Sequence, residues 1–236
     1  MMKKFLLLAI ALCVCLSAFA QKKVLVIGAH PDDPETGCGG TIAFLKQKGY
    51  DVVVAYLTHG ERGIPGKTLE EAAAIRTKEA QEACKILGVR HIFLTQIDGA
   101  TEINPARYAE MLNLIKAEKP DIVFTQWPID GHRDHRICGV LTFDAWRQSG
   151  YAFDLYYYEV MAGTQTQNFT PTIYVDISAV RDLKWKSCYA HRSQLIDQGS
   201  DIMKEWHGPM EIFRGLQSKT TAAEAFVKQM VPTSEF

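Results

Sequence analysis

Residues 23–40 read Lys23-Val24-Leu25-Val26-Ile27-Gly28-Ala29-His30-Pro31-Asp32-Asp33-Pro34-Glu35-Thr36-Gly37-Cys38-Gly39-Gly40. The run from Val24 to Ile27 is apolar without alternation, the pattern of a strand covered on both faces. Titratable residues follow directly at the strand's end, and from Gly37 to Lys48 the pattern becomes helical, closing at Gly49. The same order recurs downstream. Strands are expected at 52–57, 92–94, 121–125, 155–158 and 173–177. Helices are expected at 69–87 (stopped by Gly88), 105–117 (Pro105 in the first turn) and 134–148. This β-α-β-α order predicts an α/β, Rossmann-like fold: a mainly parallel sheet, helices on both faces, and a site at the C-terminal ends of the strands. Thr58 to Thr68 and Gly163 to Thr172 read as loops, the first long enough to border a site. Beyond Gln194 the pattern assigns no element.

The chain has 236 residues, 47% hydrophobic and 22% charged, with a formal net charge of −1. Such a balance is that of a globular protein and gives no reason to expect nucleic acid or an anionic membrane as partner. Residues 1–20 have a basic start (Lys3, Lys4), an apolar stretch from Phe5 to Ser17 and the small-x-small ending Ala18-Phe19-Ala20. A cleaved secretory signal is therefore expected at 1–20, with a single domain at 21–236 and export to the periplasm or the extracellular space. The apolar run is shorter than the roughly 20 residues of a bilayer span, so no lasting membrane anchor is expected. Oligomeric state is left open, homo-oligomers included. Cys38, Cys84, Cys138 and Cys188 are widely spaced, form no C-x-x-C pair, and are read as small buried residues.

Two segments carry chemistry, each just past a strand. His30-Pro31-Asp32-Asp33-Pro34-Glu35 follows the first, and Asp130-Gly131-His132-Arg133-Asp134-His135 follows the fourth. In open α/β sheets these strands commonly flank the crevice where strand order reverses. Segments about a hundred residues apart would then meet. A cluster so rich in carboxylate and imidazole, with no lysine, repels itself unless a cation sits in it. Zinc takes imidazole nitrogen and carboxylate oxygen, and a catalytic zinc normally has three protein ligands. His30, Asp33 and His135 would supply that set, which ferrous iron or cobalt would also accept.

The first segment, continuing through Thr36-Gly37-Cys38-Gly39-Gly40-Thr41-Ile42, resembles the signature of the PIG-L (LmbE-like) family of zinc-dependent N-acetylglucosaminyl deacetylases. His132 to His135 is similar to that family's second motif. Gly60-Glu61, Arg76, Glu79 and Ala190-His191-Arg192-Ser193-Gln194 extend the likeness over most of the chain. It implies His30, Asp33 and His135 as zinc ligands and Asp32 as general base. His132 would act as an imidazolium that steadies the oxyanion or protonates the leaving amine, oriented by Asp134. Arg76, Glu61 and His191 are expected at the substrate, Arg76 acting on it or on Asp32. The reaction implied is attack of zinc-bound hydroxide on the N-acetyl carbonyl of an N-acetylglucosamine-type sugar or conjugate. The alternatives are hydrolysis of another amide on a glucosamine-like group, or a carbohydrate-binding protein without turnover. His59, His91 and His207 have no partners at ligand spacing and are read as surface or capping residues. Trp127 and Tyr156 to Tyr158 are read as core or wall.

Overall fold

The computed structural model describes residues 21–161, 163–196, 199 and 201–232. The expected signal segment, 1–20, lies outside the described residues. Seven strands form one sheet: β1 (Lys23–Gly28), β2 (Asp51–Tyr56), β3 (Arg90–Phe93), β4 (Ile122–Gln126), β5 (Asp154–Tyr158), β6 (Ile173–Asp176) and β7 (Ala223–Lys228). Their spatial order is β3-β2-β1-β4-β5-β7-β6. The first five run parallel, and only β7 is antiparallel to its neighbours, β5 and β6. The fold is the expected Rossmann-like α/β, with the order reversing between β1 and β4.

The helices are α1 (Asp33–Gln47), α2 (Leu69–Leu87), α3 (Pro105–Glu118), α4 (Arg133–Gln148), α5 (Arg181–Tyr189), the single turn α6 (Arg192–Leu195) and α7 (Gly208–Ser218). The unalternating run of β1 is explained by cover on both faces. Val24 and Val26 pack with Cys38, Ile42, Ala80 and Cys84 of α1 and α2. Leu25 and Ile27 pack with Met111, Leu114, Leu141 and Trp146 of α3 and α4. Residues alternating along one strand thus feed two cores. All four cysteines in the described region are free and buried. No described helix is long and apolar enough to cross a membrane.

Helix α1 begins at Asp33 rather than at Gly37, because Pro34 fits the first turn and Asp33 and Glu35 suit its positive end. Its glycines serve packing. A methyl group at Gly37 would collide with the Tyr158 ring, and one at Gly40 would lie 2.6 Å from Ile177. The helix therefore sinks onto the sheet and carries its acidic start to the strand ends. Glu224 of β7 fixes it from beneath, accepting the N–H groups of Gly40 and Thr41 at 2.9 and 2.7 Å. The ammonium of fully buried Lys184 lies 2.7 Å from Glu224 and 2.9 Å from Glu211.

Candidate active site

Parallel β1 and β4 are neighbours, with Val24 to Ile27 registered against Ile122 to Thr125, so the loops after them leave the same edge together. The Ala29 N–H donates to Gln126 Oε1 at 2.9 Å, and the Thr58 N–H to the Ala29 carbonyl at 3.0 Å. These bonds fix the backbone just before His30. His132 caps α4, its Nδ1 accepting the Asp134 N–H at 3.2 Å.

Asp33 lies between two imidazoles. Its Oδ2 is 3.2 Å from His30 Nδ1 and its Oδ1 is 3.2 Å from His135 Nε2. The far nitrogens face other carboxylates. His30 Nε2 is 3.2 Å from both Asp98 and Asp134, and His135 Nδ1 is 3.3 Å from Asp130 and 3.0 Å from the Gln165 amide. Histidines that hold metal commonly give the far N–H to a carboxylate, which leaves a lone pair on the near nitrogen. Here both near nitrogens converge on Asp33. Ligand-capable atoms of His30, His132 and His135 also lie within 4.8 Å of one another, as do those of His30, Asp98 and Asp134. This donor set fits a divalent cation bound by oxygen and nitrogen.

The electrostatics agree with a cation site. Burial opposes a charge on His30 and His135, but Asp33 with Asp98 and Asp134, or with Asp130, outweighs it and raises both rings, His135 to about 9. Burial raises Asp32, against the pull of Arg76. His132 moves the other way: burial, then His30 and His135, lower it. One expectation needs correction here. Asp134 presents its backbone N–H, not its carboxylate, to His132. The carboxylate goes to His30, to the Gly99 N–H at 2.6 Å and to the Thr101 hydroxyl at 2.6 Å. With Nδ1 accepting, the neutral proton of His132 is on Nε2.

Arg76, 3% exposed, donates to the Pro31 carbonyl at 2.5 Å and lies 3.1 Å from Asp32 Oδ2. Gly60 and Gly63 enclose it so closely that a methyl at either would strike the guanidinium. Of the two roles expected, the geometry favours the one on Asp32. That residue holds φ 124°, a conformation that L-residues rarely adopt. His191 is corrected too: it is fully buried, off the cleft, with Nε2 3.4 Å from Glu35. Glu35 accepts the Tyr56 hydroxyl at 2.5 Å. Glu61 likewise does not line the cleft and accepts the Asp98 N–H at 3.0 Å, bracing that loop.

The cleft holds about 460 Å³, with Arg62, Asp98, His132 and Gln165 among its polar walls and Val160, Met161 and Ile202 among its apolar ones. Sequence reading missed Asp98, Asp130, Gln165 and His207. Asp130 stood within the second motif, and Asp98 before Gly99 carried only a turn signal. His207, read as surface or capping, instead lines the cleft at 3% exposure.

Comparison with known proteins gives concordant matches. The family described as PIG-L, GlcNAc-PI de-N-acetylase, matches residues 25–146. The diacetylchitobiose deacetylase of Thermococcus kodakarensis is 32% identical over 218 residues, covering 86% of this chain and 81% of its own. The structure of N,N'-diacetylchitobiose deacetylase from Pyrococcus horikoshii, solved with its inhibitor MPG, superposes with a TM-score of 0.76 at 28% identity. It covers 89% of this chain and 84% of that one. A 4-carboxy-2-hydroxymuconate hydratase from Pseudomonas putida gives a TM-score of 0.79 over 92% of this chain and 99% of its own, at 22% identity, which shows a shared fold alone.

Proposed function

This chain belongs to the PIG-L family, and from that premise we propose that it is a zinc-dependent hydrolase removing the acetyl group from an N-acetylglucosamine-type sugar or conjugate. The observation that carries the reading is the convergence of His30 Nδ1 and His135 Nε2 on Asp33, with the far nitrogens facing Asp98, Asp134 and Asp130. His30, Asp33 and His135 would hold the ion. When bound, it would supply Lewis acidity toward the carbonyl and a more acidic water.

The chain's own groups do the rest. Asp32, clamped by Arg76 beside Asp33, takes the proton of the attacking water. The new C–O bond forms as the carbonyl oxygen becomes an oxyanion, which the Nε2–H of His132 can meet. The C–N bond then breaks as the nitrogen takes up the proton that Asp32 had removed from the water, and acetate leaves with a free amine. The Arg62 wall suits sugar hydroxyls. The apolar start of the chain supports action outside the cytoplasm.

The test is acetate release by the zinc-loaded chain from N-acetylglucosamine and diacetylchitobiose, with Asp32→Asn as blank. The variant is expected to keep its zinc and lose about 10²–10⁴ in kcat. An unchanged rate removes Asp32 from its role. A zinc-loaded wild type that releases no acetate from either sugar overturns the deacetylase reading, in favour of another amide or a binder without turnover.

A further inference from the structure

One ring in the cleft wall has no partner. His207 is 3% exposed, its Nδ1 is buried without a hydrogen bond, and neither nitrogen has a partner among the described residues. Other polar walls of the same cleft are engaged. Asp98 accepts from the Arg62 backbone and faces His30, Gln165 meets His135, and Gln194 donates to the Gly63 carbonyl. Buried polar groups in native proteins are nearly always paired, so an unpaired imidazole in the wall of a cavity points to a ligand that meets it there.

The backbone is shaped to aim this ring. Residues Met203–His207 form a π-turn in which the Gly208 N–H reaches the Met203 carbonyl five residues back. Such turns put an extra residue into a helical path and recur at functional sites. Gly208 permits it, since a methyl there would lie 2.9 Å from the Trp185 ring and 3.0 Å from the Met203 carbonyl. Burial and the Lys184 ammonium of α5 hold the imidazole down at about 4, against Glu211 of α7 and Asp33 of α1. The ring is thus neutral, with one donor and one acceptor, and adds no positive charge beside a cation site.

We propose that His207 is a substrate-binding residue whose ring hydrogen-bonds a hydroxyl of the bound amino sugar. The inference rests on the amino-sugar reading above and adds a specificity residue from the C-terminal segment beside a His and Asp cluster built at the strand ends. It concerns binding made alike in ground and transition states, so its loss falls on KM.

The experiment compares zinc-loaded wild type, His207→Ala and His207→Phe. Glucosamine binding is measured by calorimetry and N-acetylglucosamine turnover by acetate release, with a melting curve for each protein. Loss of one neutral hydrogen bond predicts KM and Kd raised about five- to tenfold, with kcat within about threefold. His207→Phe keeps the ring's bulk, removes both nitrogens, and carries the same expectation should the alanine variant not fold. Variants with wild-type KM and Kd, or a loss confined to kcat, overturn the inference while the amino-sugar reading stands. A wild type that neither binds nor turns over either sugar overturns both.

Discussion

Replacing Asp134 with Asn separates two roles for this carboxylate. In the structure it faces His30 Nε2 at 3.2 Å, and only its backbone N–H reaches His132. A bond between a neutral imidazole N–H and a carboxylate contributes about 1.5–3 kcal/mol, since one partner is charged. Asp98 lies at the same 3.2 Å from that nitrogen and would keep part of the interaction. The asparagine would keep its place with its oxygen accepting the Gly99 N–H and its amide N–H donating to the Thr101 hydroxyl, which turns to accept; in Asp134 these two groups bond different oxygens at 2.6 Å. The expected loss is thus about 1.4–2.7 kcal/mol, a 10–100-fold weaker zinc affinity, the usual scale for the partner of a metal-binding histidine. Competition with a chromophoric chelator reads the affinity directly, without any substrate. If Asp134→Asn binds zinc like wild type and loses only kcat, the carboxylate acts through His132 after all. The assignment to His30 would then be wrong.

Three further outcomes are expected. Lys184→Met should destabilise the fold by about 3 kcal/mol, because it removes the buried charge between Glu211 and Glu224 and leaves Glu211 only Arg181 and the Trp185 N–H, and Glu224 only two backbone N–H groups; a urea midpoint near wild type would show that those remaining donors suffice. Gly60→Ala should cost about 1–3 kcal/mol and lower kcat, since it combines φ 71° with a methyl driven into Arg76, the clamp on Asp32; unchanged stability and kcat would mean that the loop yields freely. His207, held at about 4 against an ordinary 6.5, takes up its proton later in the folded chain than in the unfolded one. Its contribution is full above about pH 6.5 and is lost as pH falls through about 4, by up to about 3 kcal/mol. In urea melts the stability gap between wild type and His207→Phe should shift by that order from pH 7 to pH 4, and a constant gap refutes it.

The first two-thirds of the fold was legible because β1, β2 and β4 are buried along almost their whole length and the helices between them carry their own start and stop signals. Thr68 with Glu71 forms a capping box, Asn104 caps α3, and Gly88 ends α2 in the left-handed conformation. The C-terminal third was not legible, and α7 shows why. Its Phe213 and Leu216 are 53% and 73% exposed, while Glu211 and Arg214 are buried. Arg214 makes a bidentate pair with Glu159, both bonds at 2.6 Å. Reading apolar residues as inward inverts such a helix. The candidate site was legible where residues cluster in sequence, as in the two motifs. It was opaque where a lone residue such as Asp98 gains meaning only from the imidazole opposite, and Asp134 could not be given its partner from spacing alone.

Asp32 caps α1 without using its side chain as a cap, in a backbone conformation that glycine adopts at far lower cost. Catalysis and robustness are therefore opposed at one codon. With Asp32 as the proposed base, Asp32→Gly is expected to relax the turn and end turnover in a single step. A lineage released from selection on the reaction would meet that substitution as an improvement in folding. Sturdy, metal-loaded and inactive descendants are the expected product of such drift, and a glycine at this position would be their mark.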